Sequence, residues 1–168
     1  MYQRGSPGKG NEGSEVERTA VLYARPMRTL DEGETMLFGK EHVERYQETD
    51  GEVGHEWQGT VTLLLTTTGR RTGKERTTPL IYQPEGDAYL VVASKGGADD
   101  HPLWYANLQA NPEVKVQVKG DKFTARARTA TPDEKPALWR KMAAVWPAYD
   151  EYQEKTTRDI PVVVLERA

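Results

Sequence analysis

The stretch Thr60-Val61-Thr62-Leu63-Leu64-Leu65-Thr66-Thr67-Thr68 runs through Gly69-Arg70-Arg71-Thr72-Gly73-Lys74-Glu75-Arg76 and out again along Thr77-Thr78-Pro79-Leu80-Ile81-Tyr82. β-Branched and apolar residues at this density read as a buried strand over Thr60 to Thr68, with Thr77 to Gln83 as its partner. A third strand, Ala88 to Ser94, follows the turn Pro84-Glu85-Gly86-Asp87, so a three-stranded meander is expected. The first connection holds Arg70, Arg71, Lys74 and Arg76 against the single carboxylate Glu75, in a chain of formal net charge -3 and pI about 5.7. A positive patch on an acidic protein invites a small anionic ligand. Nucleic acid is excluded as a partner, because that use asks for a net basic domain and a groove-long basic stripe.

Working outward, a second loop of glycine and cation follows the third strand, Ala93-Ser94-Lys95-Gly96-Gly97-Ala98-Asp99-Asp100-His101-Pro102. Asp99 or Asp100 is expected to cap a helix that accepts Pro102 in its first turn and carries Leu103, Trp104, Asn107 and Leu108 until Asn111-Pro112 stops it. Backbone amides of Gly96 and Gly97 would add donors for an anion. Val114, Val116 and Val118 then alternate with polar residues, as do Phe123, Ala125 and Ala127, and Gly120-Asp121 between them signals a hairpin. Thr131-Pro132-Asp133-Glu134 has the form of a capping box, opening a helix through Leu138, Trp139, Met142 and Val145. Pro147 restarts a helical stretch with Tyr149 and Tyr152, and Ile160 to Leu165 closes the chain as a strand. Before the first strand, Lys40 to Gln47 predicts a short helix with Val43 and Tyr46 on one side, ending at Asp50-Gly51.

Hairpin-linked strands with few helical crossovers predict an α+β fold, a mainly antiparallel sheet of about six strands curled into a small barrel, with three to four helices on its open side. At 168 residues and 18.9 kDa the chain is expected to hold one domain, residues 36–168, after a flexible arm over residues 1–35. That arm is rich in glycine and charge and contributes to the low mean hydropathy of -0.77. No apolar run approaches the length of a spanning helix, so a cytoplasmic location is expected. Zero cysteine excludes thiolate nucleophiles and Cys-ligated metals.

Familiar chemical motifs fail one by one. Gly69 to Gly73-Lys74 is one residue short of a P-loop, and Glu75 stands where Mg²⁺ asks for Ser or Thr. The sequence has no Gly-x-Gly-x-x-Gly after a strand. His42, His55 and His101 lack metal-site spacing, so no metal is expected and each is read as structural. Ser94 has no nucleophile elbow. Asp99-Asp100 and Asp150-Glu151 read as helix-start charges. Trp146, Tyr149 and Tyr152 recur every third residue, either as core or as a half-exposed strip able to close over a flat ring.

From about Leu63 to Glu166 the chain resembles the deazaflavin-dependent nitroreductases, which use coenzyme F420. The resemblance rests on Thr66-Thr67-Thr68-Gly69-Arg70-Arg71-Thr72-Gly73, on Ala93-Ser94-Lys95-Gly96-Gly97, on Pro102-Leu103-Trp104-Tyr105-Ala106-Asn107-Leu108 with Asn111-Pro112, and on Ile160-Pro161-Val162-Val163-Val164. It implies a split β-barrel. It also implies that Arg70, Arg71, Thr72, Gly73 and Arg76 face the anionic tail of the coenzyme. Pro79, Ser94, Lys95, Gly96 and Gly97 would line its ring and linker, with Trp104 and Asn107 completing the pocket.

The implied reaction is hydride transfer from reduced F420 to an electron-poor acceptor, a quinone, enone or nitroaromatic. The coenzyme carries that chemistry and the fold supplies orientation, which accounts for the missing triads. Tyr149, Tyr152 and Ser94 are the implied catalytic contacts, and Ile81, Trp146, Tyr149 and Tyr152 the acceptor side. Trp146 and Ile81 each stand where the family's nitroreductase pattern has tyrosine, which favours quinones or enones. A lipid-soluble quinone would bring peripheral contact with the inner face of a membrane, and the protein would act as monomer or homodimer. An FMN-dependent reductase on the same barrel, and a carrier without turnover, stay open.

Overall fold

The computed structural model describes residues 37–168, and the arm expected over residues 1–35 lies outside the described residues. Helix α1 spans Gly39–Thr49 and buries His42 and Tyr46, one turn apart on a single face. It ends at Asp50 in the left-handed conformation. Gly51 follows, where a Cβ would stand 2.7 Å from the Lys119 backbone. The Tyr46 hydroxyl donates to the Thr62 carbonyl at 2.9 Å and accepts from the Lys119 amide at 2.9 Å, pinning α1 to the barrel.

The strands are β1 (Glu56–Trp57), β2 (Thr60–Thr68), β3 (Glu75–Ile81), β4 (Gln83–Glu85), β5 (Ala88–Val92), β6 (Glu113–Val118), β7 (Asp121–Thr129) and β8 (Val162–Arg167). Every pairing is antiparallel, in the order β1-β2-β6-β7-β8-β5-β4 with β3 on β2. Eight strands, of which β1 has two residues and β4 three, give the α+β curled half-barrel that the alternation predicts. Among the described residues four α-helices accompany it: α1, α2 (Leu103–Ala110), α3 (Lys135–Val145) and α4 (Ala148–Glu154).

The expected meander does not form. β3 pairs with β2 from Thr62 opposite Ile81 to Thr68 opposite Glu75, but the chain bends at Tyr82 and β4 crosses to pair with β5. Tyr82 is buried and its hydroxyl meets His55 Nε2 at 2.9 Å, anchoring the bend. Period-two alternation is the same on both sides of Tyr82, so the sequence reads it as one strand. The bend leaves β3 and β5 unpaired with each other, and that gap is the split in the barrel.

Both faces of the sheet are covered. Leu63, Leu65, Val91, Val116, Val163 and Leu165 pack with Trp104, Tyr105 and Leu108 of α2 in one core. Ile81, Leu90, Val92, Val162 and Val164 pack with Leu138, Met142, Trp146, Tyr149 and Tyr152 in the other. Each fully buried aliphatic side chain contributes about 1.5–3 kcal/mol of apolar transfer free energy. Consecutive apolar residues in β8 follow from this arrangement, since both of its faces are dry. The predicted capping-box hydrogen bonds form in the turn just before α3, which starts at Lys135 and not at Pro132: Thr131 Oγ1 accepts from the Glu134 amide at 3.3 Å, and Glu134 Oε2 accepts from the Thr131 amide at 2.8 Å.

Candidate active site

The chain leaves β5 into a 3-10 turn, Lys95–Gly97, in which Lys95 (φ 48), Gly96 (φ 64) and Gly97 (φ 88) are all left-handed. Lys95 accepts a conformation that L side chains avoid. Gly97 has no alternative: a Cβ there would sit 2.7 Å from the Tyr152 carbonyl oxygen and 3.0 Å from its Cα. The turn therefore rests directly on the backbone of α4. Asp99 and Asp100 do not cap α2, whose first residue follows Pro102 with no side-chain cap. Instead Asp100 accepts from Lys95 Nζ at 3.1 Å and Asp99 from Thr156 Oγ1 at 2.8 Å. The Lys95 hydrogen bond holds the Asp100 carboxyl below the usual carboxylate range.

This turn forms one wall of a narrow cleft set in the split, with a cavity volume of about 70 Å³ open to solvent. Of the residues expected at the coenzyme, Pro79, Ser94, Lys95, Gly96 and Trp104 line it, and of those expected at the acceptor, Ile81, Trp146, Tyr149 and Tyr152 do so too. The aromatic strip is buried rather than half-exposed. Trp146, Tyr149 and Tyr152 belong to the second core and show the cleft only part of their rings. Burial, and then the neighbouring Tyr152, pushes the Tyr149 phenol far above its ordinary value, so it stays protonated as a hydrogen-bond donor.

Other predicted residues lie outside the cleft lining. Gly97 faces α4 as described. Arg76 is exposed at the start of β3, and Arg70, Arg71, Thr72 and Gly73 are exposed on the β2–β3 connection. There the Gly69 amide donates to the Lys74 carbonyl at 2.7 Å, and Thr72 Oγ1 accepts from the Lys74 amide at 3.1 Å. Asn107 is buried and ties this loop to α2: its Oδ1 accepts from the Arg70 amide at 3.1 Å, and its Nδ2 donates to Thr67 Oγ1 at 3.4 Å. Since Trp104 lines the cleft one turn before Asn107, the cationic loop is fastened to the helix that walls the cleft.

Residues the sequence reading passed over complete the aromatic end. Trp57 stacks on Trp146 (centroids 5.8 Å apart, 29° between planes) and on His42 (6.1 Å, 28°), with Phe38 edge-on at 6.0 Å. Its indole donates to the Leu37 carbonyl at 2.8 Å. A two-residue strand carries no periodicity, which hides Trp57 from pattern reading. Arg158, in the loop after α4, was hidden by distance in sequence: its guanidinium donates to the carbonyls of Ala93, Ser94 and Ala98 at 3.3, 2.7 and 2.7 Å.

All three histidines have a structural part. His42 Nε2 meets the Gly54 carbonyl at 2.8 Å, His55 meets Tyr82, and Arg158 Nη1 donates to His101 Nδ1 at 2.9 Å, which requires that nitrogen to be unprotonated. Burial lowers the pKa of each, with Lys119 adding to the effect at His55 and Arg158 at His101. A histidine whose folded pKa lies below the unfolded value of 6.5 contributes stability that is complete above pH 6.5 and lost as pH falls through the folded value. The melting temperature is therefore expected to be level from about pH 8 down to 6.5 and to fall below it, well before carboxylates titrate. Scanning calorimetry across that range checks this, and a level profile to about pH 5 would contradict it.

Among the described residues no group of three His, Asp or Glu could hold a metal ion, and no helix is long and apolar enough to cross a membrane. The curled antiparallel half-barrel with an aromatic cleft in its split is a split β-barrel. Within that class the chain belongs to the F420H2-dependent quinone reductases, whose family model matches residues 38–167. F420H2-dependent quinone reductases of two Mycobacterium tuberculosis strains are 42% identical over 135 residues, covering 75% of this chain and 87% of theirs. A solved F420-H2 dependent reductase is 42% identical with TM-score 0.59, covering 62% of this chain and 93% of that one. A further solved structure, described as a domain-swapped dimer, is 39% identical with TM-score 0.62, covering 76% of this chain and 96% of that one.

Proposed function

We propose that this protein transfers hydride from reduced coenzyme F420 to a quinone. The coenzyme supplies the hydride when bound, and the protein's side chains bind, orient and exclude water. The observation that carries the reading is the convergence of Ser94, Lys95, Gly96 and Trp104 with Ile81, Trp146, Tyr149 and Tyr152 on one cleft, in a chain that matches the family over nearly all its described residues.

The donor set suits a flat ring on an anionic tail. Lys95 supplies an ammonium at the rim, only 28% exposed and already aligned by Asp100. The loop cations Arg70, Arg71 and Arg76 extend the positive field away from the cleft for phosphate and carboxylate groups. Pro79, Leu80 and Trp104 give apolar walls for the ring. At the other end Tyr149 and Tyr152 present hydroxyl groups to the acceptor oxygen, where negative charge develops as hydride arrives. Ser94 lies between the two ends. Ile81 and Trp146, apolar where tyrosine would add hydroxyls, leave an aromatic-walled site suited to an uncharged quinone ring.

Titration with F420 tests the reading, since Trp57, Trp104 and Trp146 all line the cleft and their fluorescence should be quenched saturably. Bound reduced F420 should then be oxidised by menadione faster than free coenzyme. No quenching at micromolar coenzyme, or a flavin spectrum in the purified protein, would overturn the coenzyme assignment. Lys95→Ala is expected to weaken F420 binding by about tenfold and to flatten its salt dependence, because a charge-assisted contact is lost. Isothermal titration at two salt concentrations measures both effects, and unchanged affinity would remove Lys95 from the site.

A further inference from the structure

Arg158 does not line the cleft, yet its guanidinium holds the turn that forms one of the cleft's walls. Nε donates to the Ala98 carbonyl at 2.7 Å, Nη2 to the Ser94 carbonyl at 2.7 Å, and Nη1 to the Ala93 carbonyl at 3.3 Å and His101 Nδ1 at 2.9 Å. The three carbonyls flank the left-handed residues Lys95, Gly96 and Gly97. The same turn is pressed onto α4 at its opposite side, where Gly97 meets the Tyr152 backbone. One short segment, 148–158, thus carries the acceptor-side tyrosines and also grips the turn that bears Ser94, Lys95 and Gly96.

We propose that Arg158 is a positioning residue that sets the spacing between the coenzyme-facing turn and the acceptor-facing tyrosines. This rests on the F420 reading above. The planar guanidinium reaches several acceptors at fixed angles, whereas a lysine in its place is a point charge on a flexible stem. Asp99, Asp100, Lys95 and His101 are the ionisable groups around it. Asp100 is engaged by Lys95 and Asp99 by Thr156, leaving the guanidinium to the carbonyls. Released from Arg158, Lys95 would be free to leave its left-handed conformation, and the turn would lose its fixed distance from α4.

Arg158→Lys preserves the charge and removes the fork. In the protein alone, amide deuterium exchange over residues 94–98 should rise about tenfold while β2 and β6 stay unchanged, since a hydrogen bond to a charged group is lost only there. F420 affinity should fall by a comparable factor with the salt dependence of the wild type. Turnover at saturating coenzyme and menadione should fall as well. His101→Ala, an exposed change that tests the same clamp without touching the carbonyl bonds, should shift exchange in the same direction by less.

Unchanged exchange over 94–98 in Arg158→Lys overturns the proposal, as does a uniform rise across all strands, which would mark a general stability role. A flattened salt dependence in Arg158→Gln would mean that Arg158 touches the anion itself, and would also overturn it. If the wild type fails to bind F420, the coenzyme reading falls, while the exchange data still decide whether Arg158 clamps the turn.

Discussion

Gly97→Ala should collapse the cleft. The added methyl group stands 2.7 Å from the carbonyl oxygen and 3.0 Å from the Cα of Tyr152, both backbone atoms that cannot rotate away, and the residue has φ +88. Forcing alanine into a left-handed conformation costs about 1–2 kcal/mol, and overpacking adds about 1–3 kcal/mol. Relief requires the turn to lift off α4, which carries Ser94 and Lys95 away from Tyr149 and Tyr152. The expected result is a clear drop in melting temperature together with more than about tenfold loss of F420 affinity. Gly86→Ala is the matched control: its φ is +61, but nothing lies within 4 Å of the added methyl, so only the backbone strain is felt. Equal effects of the two substitutions would show that close packing against Tyr152 has no part in the site.

Trp146→Ala should produce the other large effect, with a different signature. Trp146 is 1% exposed, stacks on Trp57 and stands at the centre of the core formed with α3 and α4. Truncating a buried tryptophan costs about 3–5 kcal/mol, from lost transfer free energy and an unfilled cavity. The void opens into the acceptor end of the cleft, so KM for the quinone should rise while F420 affinity changes little. Trp57→Ala should be milder in stability, because Trp57 is only partly buried, yet similar in acceptor KM. Denaturant melts and steady-state kinetics with menadione separate these outcomes. Loss of F420 affinity in Trp146→Ala comparable to that in Gly97→Ala would mean that the two ends of the cleft are not distinct.

Much of the barrel was legible because its signals are local. β2 occupies the predicted Thr60 to Thr68, the reciprocal Thr131–Glu134 hydrogen bonds form although the helix starts only at Lys135, and the β6–β7 hairpin turns where Gly120 indicates, with Val118 opposite Asp121. The bend at Tyr82 was not legible, since it is fixed by a hydroxyl reaching His55, 27 residues away. The same divide runs through the site. Ser94, Lys95, Gly96, Trp104 and Trp146 sit in motifs of recognisable composition. Trp57, His42 and Arg158 reach the cleft or its wall only through folding. Asn107 was legible as a site residue, but its observed contacts are with the loop and not with the cleft. The acidic pair Asp99-Asp100 misled because a helix-start pattern cannot reveal that Lys95 and Thr156 are nearer partners.

Because Val162, Val163, Val164 and Leu165 are buried on alternating sides, polarity cannot tell β8 which way round to lie: a shift by one residue would exchange one greasy face for another. The strand's alignment must be keyed at its charged end, where Glu166 meets Arg128 at 3.2 Å and Arg167 meets Asp121 at 2.8 Å. Such surface pairs add only about 0–1 kcal/mol each to stability. Their weight lies in choosing among near-equal alternatives, as the zero mark on a ruler fixes every later reading. Charge reversal at both Glu166 and Arg167 should therefore loosen the alignment of β8 while its buried valines stay packed.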